Sequence, residues 1–367
     1  MVKPYDPEPL PPESLPNDLI GLTALVGRAN AVLSRYDGLL ESVSNPEILL
    51  SPLITKEAEL SSRIEGTVAT ANEVYEAQAG TDFEPEKKAD IEEILNYRHT
   101  LSLAADVIKE HPISLQLIRM MHAQLMKGVR GQDKNPGKFR DTQNWIGPKG
   151  CTIDEATYIP PSPLKLHDHL ESLESFLQRQ DPNLDPIVNA ALLHAQFELI
   201  HPFVDGNGRI GRLLIPLYLA QVGSLIGPSL YISEYFEANQ NIYTARLGHI
   251  SERGDWKSWI ALFLEAVVSQ AEINLSLVRH VIDLYEDMKL RIAEITRSEQ
   301  SIRILDALFD RPIFKSSELQ DRLGIQRQRA SGYIRSLKEA EILREIRPAA
   351  GARPALLSFD PLLEIVG

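Results

Sequence analysis

Between residues 186 and 222 two apolar runs are joined by a short polar stretch that no helix interior tolerates. The first run, Pro186 to Ile200, starts on a proline and stops before His201-Pro202, since the residue ahead of a proline is pushed out of the helical region. The second opens after Asp205-Gly206-Asn207-Gly208, four residues that favour turns. This spacing predicts helix, tight turn, helix, with the turn at the N-terminus of the second helix. From Leu213 to Ser233 there is no charge, but Pro216, Gln221, Gly223, Ser224, Gly227 and Pro228 interrupt the stretch. It reads as a buried helix, a turn and a short extended piece, and no membrane span is expected.

The turn itself suggests chemistry. Two glycines let backbone N–H groups approach a ligand closely, and at a helix N-terminus such groups favour anions. Arg209 and Arg212 lie three apart and so share a helix face. Two guanidinium groups beside an N-terminal nest suit a polyphosphate. Asp205 is a hard oxygen donor placed where it could hold Mg²⁺ on those phosphates. His201 adds a titratable imidazole, a candidate general base.

Elsewhere the pattern is mostly helical. Apolar spacing of helical type runs from about Leu19 to Glu76, then over Asp90–Lys109 and over Ser114–Val129, where Ser114 is the cap. Residues 1–20 are proline-rich and expected to be extended. The segment from Gly131 to Pro163 is rich in Gly, Pro, Asn, Asp and Thr, with β-favouring pieces at Thr152-Ile153 and Tyr158-Ile159, and reads as a long functional loop or hairpin. Helices are expected again over 164–178, 186–200, 208–222, 233–251 and 256–295. Trp256 and Trp259 are read as core residues.

The last seventy residues follow another rhythm. Helices are expected at Gln300–Phe309, Ser316–Leu323 and Arg327–Ala340, with Gly324 at a turn and a two-stranded wing over Ile342–Phe359. Between Arg322 and Arg353 eight basic residues face three glutamates, a local +5 in a chain whose formal net charge is −13. The overall acidity excludes a surface that coats nucleic acid everywhere and leaves room for one basic patch. Arg327, Arg329, Arg335 and Lys338 are candidate phosphate contacts. DNA and a protein partner both stay open for residues 297–367. Cys151 is the single cysteine, so an intramolecular disulfide is excluded and a reducing, cytoplasmic location is expected. The N-terminus carries acids and prolines where a secretory signal would be apolar.

The run His201-Pro202-Phe203-Val204-Asp205-Gly206-Asn207-Gly208-Arg209-Ile210-Gly211-Arg212 resembles the signature of the Fic (filamentation induced by cyclic AMP) family, His-Pro-Phe-x-Asp/Glu-Gly-Asn-Gly-Arg-x-x-Arg, at every position. The resemblance implies a mainly α fold: a helical Fic core with a β-hairpin flap, plus a C-terminal winged helix-turn-helix domain. It implies transfer of AMP from ATP to a Ser, Thr or Tyr hydroxyl of a protein target. His201 would be the base and Asp205 the Mg²⁺ ligand. Gly206, Asn207 and Gly208 would form an anion hole, Arg209 and Arg212 would hold the outer phosphates, and Phe203 would be buried. Gly211 is grouped with the nucleotide-binding residues.

Two further segments resemble the same family. Ser61-Ser62-Arg63-Ile64-Glu65-Gly66 is similar to its inhibitory helix, Ser/Thr-x-x-x-Glu-Gly/Asn. One turn separates Ser61 from Glu65, so Glu65 can pair with Arg212, and Gly66 leaves room for close packing. Residues 137–161, with Gly137-Lys138-Phe139-Arg140, Gln143 to Gly147 and Tyr158-Ile159-Pro160-Pro161, resemble the flap and its lead-in, along which a target backbone would dock at Tyr158, Ile159 and Pro160. Tyr243 falls where the family has a Tyr-Tyr pair near adenine, and Thr244 breaks the pair. Glu198 could orient His201 or lie on the surface.

The expected layout is an N-terminal helical region over 1–112 with an inhibitory helix at about 55–70, a catalytic core over 113–270, a linker helix over 271–296 and a winged-helix-like domain over 297–367. The rival readings are removal of AMP from a modified protein and a nucleotide-sensing transcription regulator. Self-modification and a homodimer stay open.

Overall fold

The apolar run of residues 186–200 folds as a helix, Pro186–Ile200, buried throughout except at Pro186 and Glu198. Asp185 caps it, its Oδ1 accepting the N–H groups of Ile187 at 2.9 Å and Val188 at 3.4 Å, and Pro186 occupies the first position, where a missing N–H costs nothing. A helix without a polar face must be wrapped by others. Here the helices Thr23–Glu41, Pro163–Arg179, Asn207–Gln221 and Gln240–Arg253 surround it. Helix Pro163–Arg179 is the amphipathic counterpart, burying Leu166, Leu170, Leu173 and Leu177 at spacings of three and four. Each such leucine contributes roughly 1.5–3 kcal/mol of burial.

The computed structural model describes residues 3–43, 45–129, 134–148, 150–179, 183–351 and 353–367. The chain forms two compact units. The first comprises Met1–Glu41, Leu60–Thr67 and Asn96–Glu272, and the second Ser42–Glu59, Val68–Leu95 and Ile273–Gly367.

In the first unit, helix Leu115–Leu125 starts at Ser114, whose Oγ accepts the Leu117 N–H at 3.2 Å. The two tryptophans expected in the core are there: Trp256 and Trp259 are 1 % and 0 % exposed, and Trp259 Nε1 donates to the Ala191 carbonyl at 2.8 Å. They begin the helix Trp256–Thr296, which is long and apolar enough to cross a membrane by length and composition, with 56 % of its most apolar stretch buried. The helix expected over 233–251 is two, Ser233–Ala238 and Gln240–Arg253, separated at Asn239, whose φ of −118° and ψ of 28° leave the helical region. The N-terminal segment is not wholly extended, since Leu15–Leu19 forms a short helix.

Among the described residues of the 131–163 segment, expected as a long loop or hairpin, one antiparallel bridge joins Ile146 to Tyr158. Residues 131–133 and 149 of that segment lie outside the described residues. The β-favouring Thr152-Ile153 pair starts a 3₁₀ turn, Ile153–Glu155, because the Glu155 carboxylate reaches back to the Thr152 N–H at 2.9 Å and makes the turn self-capping.

In the second unit the helices Ser301–Asp310, Glu318–Leu323 and Arg327–Glu339 form, with Gly324 at φ 63° closing the second. Two strands fall in the stretch expected to be two-stranded, Arg344–Arg347 and Leu356–Ser358, and a third that was not expected, Ile313–Lys315, joins them. Leu356–Ser358 lies in the middle of this antiparallel sheet, pairing Ile313 with Ser358 on one side and Arg344 with Ser358 on the other. Helix Ala71–Gln78 carries a Thr70–Glu73 capping box and packs Tyr75 and Ala79 against Ile313 and Leu356.

Candidate active site

The turn between the central helix and Asn207–Gln221 is locked from within. Asn207 Oδ1 accepts the Phe203 N–H at 2.9 Å and its Nδ2 donates to the Phe203 carbonyl at 2.9 Å. The Asn207 side chain thus closes its own loop, which leaves the anion-hole expectation for the backbone N–H groups of Gly206, Asn207 and Gly208 untouched. Gly206 sits at φ 78°, the left-handed region that only glycine enters cheaply, as the cap of the helix. Phe203 is fully buried and its ring stacks on His122, 3.8 Å between centroids and 3° between planes.

His122 was not singled out in the sequence, and it holds the turn from the other side. Its Nδ1 accepts the Gly137 N–H at 2.8 Å, so the proton resides on Nε2, which donates to the Asp205 carbonyl at 2.9 Å. Burial pulls its pKa down to about 4, which keeps the ring neutral and in that tautomer. The Asp205 carboxylate is exposed, with Oδ1 accepting the Gly206 N–H at 2.6 Å and lying 3.7 Å from Arg209 Nη2.

His201 ends the central helix at φ 47° and ψ 62°, unusual for a non-glycine residue and typical of functional strain. Its Nδ1 donates to the Glu198 backbone carbonyl at 3.3 Å, which leaves the lone pair on Nε2. Burial lowers its pKa to about 4 against the opposing pull of Glu65 and Asp205, so the imidazole is neutral at pH 7. Arg140 fixes this end of the helix. Its buried guanidinium carries no carboxylate contact among the described residues and donates instead to four carbonyls: His201 at 2.9 Å, Pro161 at 2.6 Å, Thr142 at 3.3 Å and Ile200 at 3.4 Å. A cation at a helix C-terminus also interacts favourably with the negative end of the macrodipole.

The segment ahead of the core brings Glu65 to the turn. Helix Pro46–Ile64 ends in a Schellman arrangement, the Thr67 N–H bonding the Ser62 carbonyl at 3.1 Å and the Gly66 N–H the Arg63 carbonyl at 2.9 Å, with Gly66 at φ 96°. Gly66 is thus required by its backbone angle and not by close packing, since nothing lies within 4 Å of where its Cβ would be. Arg212, 1 % exposed, donates through Nε to Ser61 Oγ at 2.8 Å and through Nη2 to the Ser61 carbonyl at 2.8 Å and Glu65 Oε1 at 2.7 Å. A Cβ on Gly208 would fall on the same Glu65 oxygen, so the carboxylate lies against the first turn of Asn207–Gln221, where a helix attracts anions. Burial pushes the Glu65 pKa up, but the Arg212 guanidinium more than offsets this and holds it below the ordinary carboxylate value.

Beneath Arg212 lies a buried polar cluster. Glu198, whose side chain does not orient His201, points toward Gly211, where any Cβ would collide with its Oε1. Burial raises its pKa to about 8, with Arg212 opposing and Glu65 reinforcing, so it is mostly a neutral acid at pH 7. Gly211 therefore serves to make room for Glu198 and His194 and does not face the turn. His194 Nε2 meets the Tyr243 hydroxyl at 2.8 Å, and Tyr243 packs on Phe236 with centroids 4.5 Å apart. Tyr243, 4 % exposed, is brought to this cluster and not to the mouth of the turn.

The backbone carbonyls of residues 158–161 are engaged within the fold. The Ile146 N–H bonds the Tyr158 carbonyl at 2.8 Å, the Tyr5 N–H the Ile159 carbonyl at 2.8 Å, Gln143 Nε2 the Pro160 carbonyl at 3.0 Å, and Arg140 the Pro161 carbonyl. The Tyr158 hydroxyl donates to the Leu199 carbonyl at 2.6 Å. Tyr158, Ile159 and Pro160 are in this way tied into the fold, and the exposed apolar side chains of the segment are Trp145, Ile146 and Ile153.

Comparisons with known proteins agree with this geometry. The Fic/DOC family N-terminal model matches residues 23–106 and the Fic/DOC family model residues 112–219. The chain is 31 % identical over 146 residues to protein adenylyltransferase fic-1 of Caenorhabditis elegans, covering 39 % of this chain and 26 % of that protein. It is 31 % identical over 151 residues to a probable protein adenylyltransferase of Aquifex aeolicus, covering 39 % of this chain and 43 % of that one. The chain thus spans about a quarter to under a half of the length of these relatives. A crystal structure of a Fic family protein from Desulfovibrio desulfuricans shares the fold at TM-score 0.58 and 19 % identity, over 98 % of both chains. A Fic domain containing signalling protein from Bacteroides thetaiotaomicron does so at TM-score 0.55 and 22 % identity, over 69 % of this chain and 96 % of that one. With the signature turn closed as described and both family models matched in order, the chain belongs to the Fic/DOC family.

Proposed function

We propose that this site transfers AMP from ATP to a Ser, Thr or Tyr hydroxyl of a protein, and that Glu65 holds it in check. One observation carries the reading: the Glu65 carboxylate is bonded to Arg212 and rests at the first turn of Asn207–Gln221, so a place built for an anion is taken by the chain's own. The relatives named protein adenylyltransferases support the same chemistry.

The residues divide the work. The neutral His201 accepts the hydroxyl proton on Nε2 as the oxygen attacks the α-phosphorus. A new P–O bond forms there, the bond to the β-phosphate bridge breaks, and diphosphate leaves. Arg209 and, once Glu65 withdraws, Arg212 carry the charge of the outer phosphates. Among the described residues no group of three or more His, Cys, Asp or Glu could hold a metal. A lone exposed Asp205 carboxylate fits Mg²⁺, which takes one or two protein oxygens and completes its shell with water and phosphate. When bound there, Mg²⁺ supplies charge neutralisation on the phosphates. The target is received beside the exposed Trp145, Ile146 and Ile153.

Incubation of the protein with a candidate target, Mg²⁺ and ATP labelled on either the α- or the γ-phosphate tests this. Label from the α position alone, lost in His201→Ala, is the expected result. Label from the γ position would make the enzyme a kinase and refute the reading. Release of label from a protein already carrying AMP, without any incorporation, would favour the reverse reaction.

A further inference from the structure

We infer that the second unit binds duplex DNA through the outward face of helix Arg327–Glu339 and the adjoining wing. Within this unit Arg322 is paired with Asp310, Lys338 with Glu345 and Arg344 with Asp360. Arg327, Arg329, Arg335 and Arg353 are exposed and have no acidic partner among the described residues. Asp310, Glu345 and Asp360 are thus taken up by other cations, and the four arginines outnumber the remaining exposed Glu339 and Glu341 of this stretch, in a chain whose overall charge is −13. Unmatched guanidinium groups on one surface attract phosphate.

The shape agrees with the charge. Helix Arg327–Glu339 buries Ala330, Ile334 and Leu337 on its inner stripe, which leaves Gln328, Ser331 and Arg335 exposed outside. Its 13 residues span about 20 Å, and a bare helix of that kind fits the B-form major groove, about 12 Å wide. Glu318–Leu323, the Gly324 turn and this helix form a helix-turn-helix, and the strands Arg344–Arg347 and Leu356–Ser358 carry Arg353 in the hairpin between them, where a wing meets the backbone. Gly332, mid-helix, costs roughly 1 kcal/mol against alanine, and its Cβ position has nothing within 4 Å. The fold itself does not ask for glycine there, whereas a partner's close approach does.

The test uses the full chain and a fluorescein-labelled 24-base-pair duplex of mixed sequence, followed by anisotropy from 50 to 200 mM NaCl. Four phosphate contacts predict that log K falls with log salt at a slope of about −3.6. The Arg327→Gln/Arg329→Gln/Arg335→Gln protein should lose about 2.7 of that slope and bind at least tenfold more weakly at 100 mM. Gly332→Leu, which leaves charge unchanged and strengthens the helix, should weaken binding by blocking approach. An unchanged melting temperature certifies that each variant is folded. The inference is overturned by no anisotropy change at 50 mM salt, by a triple variant with the wild-type slope, by a Gly332→Leu protein that binds as wild type does, or by equal binding of a single strand of the same length.

Discussion

Replacing Glu198 by glutamine should stabilise the protein, and by an amount that depends on pH. In the fold the side chain has its pKa raised from 4.5 to about 8, chiefly by burial. Between those two values the folded state holds a proton that the unfolded chain has released, so wild-type stability falls as pH rises through this window. At pH 7.5 the difference is three pKa units, and at about 1.36 kcal/mol each the cost approaches 4 kcal/mol. Glutamine is neutral in both states and avoids it. Its amide must still find partners beside the buried His194 and Arg212, which returns about 1–2 kcal/mol of the gain. The net expectation is about 2–3 kcal/mol in favour of Glu198→Gln at pH 7.5, shrinking to zero or below near pH 4.5. Urea unfolding of both proteins from pH 4.5 to 8 measures it. A stability difference that stays constant across that range would mean that Glu198 is ionised in the fold, and the reasoning fails.

Arg140→Ala strands four carbonyls at the end of the central helix and should cost about 3–5 kcal/mol in thermal unfolding, with Arg140→Lys recovering part of it. Gly211→Ala should destabilise by about 1–3 kcal/mol because its Cβ meets Glu198 Oε1; in a Glu198→Ala background the same change should cost less than half as much, and additive effects would contradict the contact. His122, His194 and His201 have pKa values lowered to about 4, 3 and 4, so the stability their neutral forms contribute is present above pH 6.5 and is lost as pH falls through 4. Near-UV circular dichroism from pH 7 to 3 should show tertiary structure melting in that interval, and full retention at pH 3 would count against it.

What the sequence revealed and what it hid have physical causes. The central helix, the turn after it and the Ser61–Glu65 spacing were readable because each is local: apolar runs, turn residues and one helical repeat. The structural uses of Asn207, Gly211 and Gly66 were not legible, because a motif position says that a residue type is needed and not which atom it serves. Asn207 closes a loop, Gly211 clears space for a carboxyl and Gly66 supplies a left-handed backbone. His122 and Arg140 were missed as site residues since they lie 83 and 61 residues from the groups they hold. A lone histidine on an apolar helix face and a single arginine in a loop give no local sign of such partners. Within the segment that resembles the flap, only the β reading of Thr152-Ile153 fails, since the Glu155 carboxylate three residues on turns it into a 3₁₀ cap.

The rate of AMP transfer by Glu65→Gly, compared with wild type at saturating ATP and Mg²⁺, bears most directly on the whole account. If the Glu65 carboxylate occupies the place of an outer phosphate on Arg212, removing it should raise the initial rate at least tenfold. A folded Glu65→Gly protein that labels its target no faster than wild type would contradict the account.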